Sequence, residues 1–243
     1  SEMCIRDSLM EAYVCGDPNP LTDMICEEGL RKLSSSVVRA CIDDEPQARC
    51  DLAFASMLGG MAITNAKLGA AHGLASALGG KISAPHSIIT ARLAPYVMLE
   101  NIAVAREQKR DDILVRYKRI AQIVTYNIEA KEEEAVSWLS GTLNTLQLPS
   151  LLEFGVCAAQ FDEVSADALK SVAIKGNPLP LNRERLVHIL QQVCEECCCD
   201  QISDKNALLN QKDRSQEVES SFTYINSYAS ENGVVEKGNS WTI

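Results

Sequence analysis

The sequence predicts an all-α fold, a multi-helix domain followed by a polar tail. Three observations carry this. Apolar residues recur at i, i+3, i+4 spacing, as in Ile113, Leu114, Tyr117, Ile120, Ala121 and Val124. Alternating runs rich in Val, Ile and Thr between turn residues, the mark of strands, are nearly absent. Pro and Gly stand where helices start and stop. With 243 residues, 46% of them hydrophobic, the chain is long enough to bury a real core.

Each helix follows from local chemistry. Asp17-Pro18-Asn19-Pro20 is a turn, and Leu21 to Leu33 follows as a helix. Pro46 opens the next long one, because a proline in the first turn gives up no needed N–H. The most apolar region, Ala53 to Ile82, is built from Ala, Gly and Ser and is broken by Asn65 and Lys67. It reads as a poor membrane span and a tightly packed core helix. Gly79-Gly80 stops the stretch that includes His72, and Pro85 opens another with Ile88, Ile89, Leu93, Val97 and Met98, expected to kink at Pro95. Asp111 to Val124 carries the apolar stripe quoted above. Glu132 to Leu146 is a further helix ending before Pro149, and its charge run Lys131-Glu132-Glu133-Glu134 reads as a solvated helix start. Ser165 to Ile174 is a short helix stopped by Gly176 and Pro178. Asn182 is the N-cap expected for Arg183 to Cys197. Residues 201–243 are polar, rich in Ser, Asn and Gln, and read as a disordered tail. No internal repeat is visible.

The bulk numbers narrow the partners. The net charge is -10, no basic face is visible, and aromatics make up only 5%, so nucleic acid is not an expected partner. Nor is a membrane. Ser1 to Ser8 lack the basic start and apolar run of a signal peptide. The 10 Cys are scattered, apart from a cluster at Cys194, Cys197, Cys198 and Cys199. Reduced thiols in the cytoplasm are the simpler reading, with organellar import left open. The cluster holds a Cys-x2-Cys pair but no second pair at a distance, so it reads as a reduced helix end, with metal or redox capture as the alternative.

Only three His are present. His72 and His86 lie 14 residues apart, which on one unbroken helix would separate them by roughly 21 Å at 1.5 Å per residue. Gly79-Gly80 and Pro85 break that helix, so the two imidazoles can fold back onto one point and bind a first-row metal at about 2 Å. The bland alternative is two packed histidines. His188, in Leu186-Val187-His188-Ile189-Leu190, reads as an ordinary packed or surface residue.

The surroundings favour the metal. The run Asn65-Ala66-Lys67-Leu68-Gly69-Ala70-Ala71-His72-Gly73-Leu74-Ala75, then Leu78-Gly79-Gly80, Pro85-His86 and Leu93-Ala94-Pro95-Tyr96-Val97-Met98-Leu99-Glu100-Asn101, resembles the iron-containing (group III) alcohol dehydrogenases. Leu148-Pro149-Ser150-Leu151 with Gly155, and Gly176-Asn177-Pro178-Leu179-Pro180-Leu181, match later elements of that pattern. The resemblance runs from about Glu11 to about Cys194. It implies the all-helical C-terminal half of a two-domain dehydrogenase, whose other half is Rossmann-like and holds NAD or NADP. It implies Fe(II), with Zn(II) as the other option, bound by one Asp and three His, of which His72 and His86 match the second and third His. The substrate implied is a small alcohol or aldehyde, and a homo-oligomer is compatible with the family.

The chain departs from that pattern in three ways. No strand-rich nucleotide domain is read, and Gly79-Gly80-Lys81 is not a phosphate loop, since Ala75 and Ile82 replace its first Gly and its Ser/Thr. The landmark Glu11-Ala12-Tyr13-Val14 places Cys4 and Ser8 where the family has Asp and His, with Asp7 out of register. Residues 1–8 therefore read as a non-native junction, ahead of a helical domain at 9–200 and a tail at 201–243. Finally, Ser76 stands where the family often has a further His, and Ser87 where it has Gly. The chain is thus expected to be a fragment of a metal-dependent, NAD(P)-linked alcohol dehydrogenase, inactive or nearly so by itself. The alternatives are a non-catalytic helical module that kept the fold, or a relative of maleylacetate reductase, which retention of His72 and His86 disfavours.

Overall fold

The computed structural model describes residues 2–194. The tail at 201–243 and Cys197, Cys198 and Cys199 lie outside the described residues. Among the described residues, eight α-helices have defined bounds: α1 (Glu2–Val14), α2 (Pro20–Ile42), α3 (Pro46–Asn65), α4 (Ala70–Gly79), α5 (His86–Glu107), α6 (Asp111–Thr125), α7 (Glu132–Thr145) and α8 (Phe161–Ala168). Residues 183–194 are helical as well and are called α9. Among the described residues there is no strand, so the all-α expectation holds.

The helix starts follow the sequence closely. The Asn19 side chain accepts the Thr22 N–H at 3.0 Å ahead of Pro20 in the first turn of α2. Asn182 accepts the Arg185 N–H at 3.0 Å at the start of α9. α2 nevertheless runs beyond Leu33 to Ile42. Ser34 and Ser35 do not break it, because their hydroxyls donate back to the carbonyls of Arg31 and Lys32, at 3.2 and 3.0 Å, while Val37 is fully buried.

Ala53 to Ile82 is not one core helix. It divides at residues 66–69 into α3 and α4. α3 buries one side through Ala48, Leu52, Ala55, Leu58, Gly59 and Ala62. Its other side leaves Phe54, Met57 and Met61 exposed at 42%, 53% and 45%. The expected helix from Ser165 to Ile174 also differs. It begins earlier, at Phe161, whose ring is buried, and a separate 3-10 turn at Ala173–Gly176 follows it. Asp162 and Glu163 suit the earlier start.

α5 runs through the middle of the core, with Ile89, Leu93, Val97, Met98 and Ile102 buried. It is long and apolar enough to cross a membrane, yet 72% of its most apolar window is buried inside the fold. The helix continues through Pro95. Proline leaves the carbonyl of Ala91 without its i+4 N–H, and Arg6 Nη2 lies 3.4 Å from that oxygen. The charge run opening α7 is only partly solvated: Glu132 accepts from Arg106 of α5 at 2.6 Å.

Candidate metal centre

The site lies where α1, α4 and the start of α5 meet. His72 is the third residue of α4 and is buried, whereas His86 opens α5 and is exposed. Between them the N–H groups of Lys81 and Ile82 donate to Leu78 O at 2.8 and 3.1 Å, turning the chain over at Gly79-Gly80. The fold-back expected from that break is present, and the imidazole centroids stand 5.7 Å apart at 53°.

α1 supplies the opposite wall. Ser8 Oγ and Cys4 Sγ lie 3.3 and 3.9 Å from His72 Nε2. One ligand atom each from Cys4, His72 and His86 falls within 4.8 Å of the others. Positions 4 and 8, singled out by the register from Glu11-Ala12-Tyr13, both face His72. Asp7 is not bonded to His72; it is buried and accepts from Arg6 Nε at 2.8 Å. Burial raises its pKa despite the neighbouring guanidinium. Arg6 Nη1 and Asp7 Oδ2 have no hydrogen-bond partner.

The donors fit a metal ion in position but only half in kind. Bonds of about 2.0–2.3 Å from two imidazoles and a thiol could meet at one ion after small side-chain rotations. The carboxylate and third imidazole of the iron-type pattern are absent at positions 4 and 8. A thiol with two imidazoles suits a borderline ion such as Zn(II) better than Fe(II).

Glu11, in the sequence no more than a landmark, is a partner of His72 in the fold. Glu11 Oε2 lies 2.6 Å from His72 Nδ1 and accepts the Gly69 N–H at 2.9 Å, while Oε1 accepts the Ala71 N–H at 2.7 Å. Asn177 completes this end of α4: its Oδ1 accepts the Ala70 N–H at 3.2 Å. Asn177 and Asn101 also exchange amide hydrogen bonds, at 2.7 and 3.2 Å. A signal for this existed. The sequence before His72 is Gly-Ala-Ala, which offers no side-chain cap, so the N–H groups of α4 had to be satisfied from elsewhere.

Charges follow the geometry. Burial opposes a charged His72 ring, but hydrogen bonding with Cys4 and Glu11 and the carboxylate charges of Glu11 and Asp7 outweigh it, raising its pKa to about 10. His86 shifts the other way, first through burial and then through repulsion from a charged His72. Ser76 is exposed one turn beyond His72, and Ser87 is half-buried beside His86. His188 is remote from this cluster in its interactions: it sits on α9, 54% of its side chain exposed, with Nδ1 3.2 Å from Glu100 Oε2.

An all-helical domain with this site belongs to a known class. Residues 8–194 match the C-terminal domain of the Fe-containing alcohol dehydrogenase family, and the chain belongs to that family. It is 31% identical over 190 residues to alcohol dehydrogenase 4 of Saccharomyces cerevisiae, covering 76% of this chain and 47% of that protein. To 1,3-propanediol dehydrogenase of Klebsiella pneumoniae it is 32% identical over 184 residues, covering 75% and 47%. Among solved structures it is similar to an alcohol dehydrogenase from Oenococcus oeni, with a TM-score of 0.71 and 30% identity over 79% of this chain and 50% of that one. The chain thus spans about half the length of the relatives it matches.

Proposed function

We propose that this chain is the metal-binding helical half of an NAD(P)-linked alcohol dehydrogenase and that, as written, it does not turn over. The observation that carries the reading is the convergence of His72 and His86 with Cys4, and the contact of Ser8 with His72. His72 and His86 would hold the ion. When bound, it supplies Lewis acidity toward the oxygen of a small alcohol or aldehyde. Ser76 can pass a hydrogen bond but cannot hold a proton at neutral pH as a histidine can. The nicotinamide cofactor, NAD or NADP, would bind a domain outside the present sequence. A cytoplasmic setting accords with the free thiols of Cys15, Cys26, Cys50 and Cys157.

Residues 1–8 belong to the same proposal as a non-native junction. The family match starts at residue 8, and the preceding turn buries Arg6 and Asp7 with unpartnered polar atoms. The test is metal content after dialysis. The chain as it stands should lose iron, while the Cys4→Asp/Ser8→His variant should keep about one ion per chain, because an ordinary site needs three or four ligands. Stoichiometric iron in the starting chain, or none in the variant, overturns the reading. A second reading, a helical module that lost its chemistry, is favoured by Cys4 and Ser8 alone. Upstream coding sequence with a Gly-rich nucleotide motif and Asp-x3-His would exclude it.

A further inference from the structure

We propose that Glu11 is the positioning residue of the metal site: its carboxylate holds the proton of His72 on Nδ1 and so commits Nε2 to the ion. This rests on the metal-binding reading above. Three donors converge on one carboxylate, namely the N–H groups of Gly69 and Ala71 and His72 Nδ1. Two are backbone groups at the start of α4, so Glu11 sets the helix and the ring on it together. The other ring nitrogen faces Ser8 and Cys4, at 3.3 and 3.9 Å. A carboxylate on the far nitrogen of a metal-bound imidazole fixes its tautomer and orientation and raises its basicity.

No neutral side chain can repeat this arrangement. Glutamine has one acceptor oxygen and an N–H2 group, so at least one of the three donors would face another donor. Gly69 bears on the same point. A Cβ there would stand 2.7 Å from Glu11 Oε1 and 3.1 Å from Asn177 Oδ1, so a side chain at 69 displaces the carboxylate without deleting it.

The test uses Zn(II) alone, titrated against a chelator, with the full chain and its Cys4→Asp/Ser8→His variant as backgrounds. Glu11→Gln should weaken Zn(II) roughly 10–100-fold. Gly69→Ala should weaken it in the same direction, about tenfold. Asn177→Ala is the control for a merely structural role, because it uncaps Ala70 but leaves the Glu11–His72 contact. It should lower the melting temperature and leave affinity within about threefold. In the cadmium-loaded chain, one-bond coupling to NMR-active cadmium should appear on His72 Nε2. Unchanged affinity in Glu11→Gln, an equal loss in Asn177→Ala, or coupling on Nδ1 overturns the role of Glu11. Zn(II) affinity unchanged by His72→Ala in both backgrounds, or Zn(II) binding absent from both, overturns the metal reading itself.

Discussion

Ser8 Oγ lies 3.3 Å from Nε2 of His72, across the gap between α1 and α4. The contact sets a hydroxyl against the ring nitrogen that Glu11 does not engage. Replacing Ser8 by His and Cys4 by Asp, one turn earlier, puts an imidazole and a carboxylate on the same gap. The double variant is expected to bind Fe(II) or Zn(II) tighter than the starting chain by roughly two orders of magnitude or more, since it doubles the family-type ligands. Competition with a chelator measures this. Equal affinities would show that α1 does not present those positions to the ion.

The protonation of His72 gives a pH dependence with a definite sign. Its pKa in the folded chain is raised to about 10 from an ordinary 6.5. A raised histidine pKa stabilises the metal-free fold fully below 6.5, and that contribution is lost as pH climbs through about 10. Urea unfolding of the metal-free chain should show a decline over that window, and His72→Gln should flatten it. Zn(II) must also displace the Nε2 proton, so its apparent affinity should rise with pH by up to about tenfold per unit until the ring is neutral.

Arg6 and Asp7 form a buried ion pair at 2.8 Å with one atom on each side unpartnered. Breaking it by Asp7→Ala should cost about 3 kcal/mol, because it strands a buried guanidinium. Removing both charges, as Arg6→Met/Asp7→Leu, should restore stability to within about 1 kcal/mol of the starting chain or above it. Thermal unfolding of the three proteins decides this. A double variant less stable than Asp7→Ala would contradict the pairing.

Two glycines should respond in opposite ways. A Cβ at Gly176 would meet Leu68 O at 2.1 Å and Lys67 Cβ at 2.3 Å, and the backbone there cannot yield cheaply. Gly176→Ala should therefore lose about 3 kcal/mol or more and drag Asn177 from the start of α4. Gly141 lies within α7 with nothing in reach of a Cβ. Gly141→Ala should gain about 0.5–1 kcal/mol through helix propensity. Denaturant midpoints check both.

The parts that were legible in the sequence are those governed by neighbours along the chain. Pro20, Pro46, Asn19 and Asn182 start helices by local hydrogen bonding and fixed φ. The meeting of His72 with His86 followed from a glycine pair and a proline that break one helix into two. Glu11 was not legible as a partner of His72, because 61 residues separate them and two of its three donors are backbone N–H groups. The link from Asn177 to Ala70 spans 107 residues and was hidden for the same reason. The full length of α2 was not legible because serines that cap or break helices elsewhere here bond back to their own helix.

The outer side of α3 has a practical consequence. Phe54, Met57 and Met61 follow one another along a single helical stripe, and no charged residue interrupts the chain from Leu52 to Ala66. A contiguous greasy strip of this kind governs how a purified chain behaves in the tube more than how it folds. Concentrated samples should scatter light and brighten hydrophobic dyes, and Met57→Lys with Met61→Glu should keep them clear without shifting the unfolding transition.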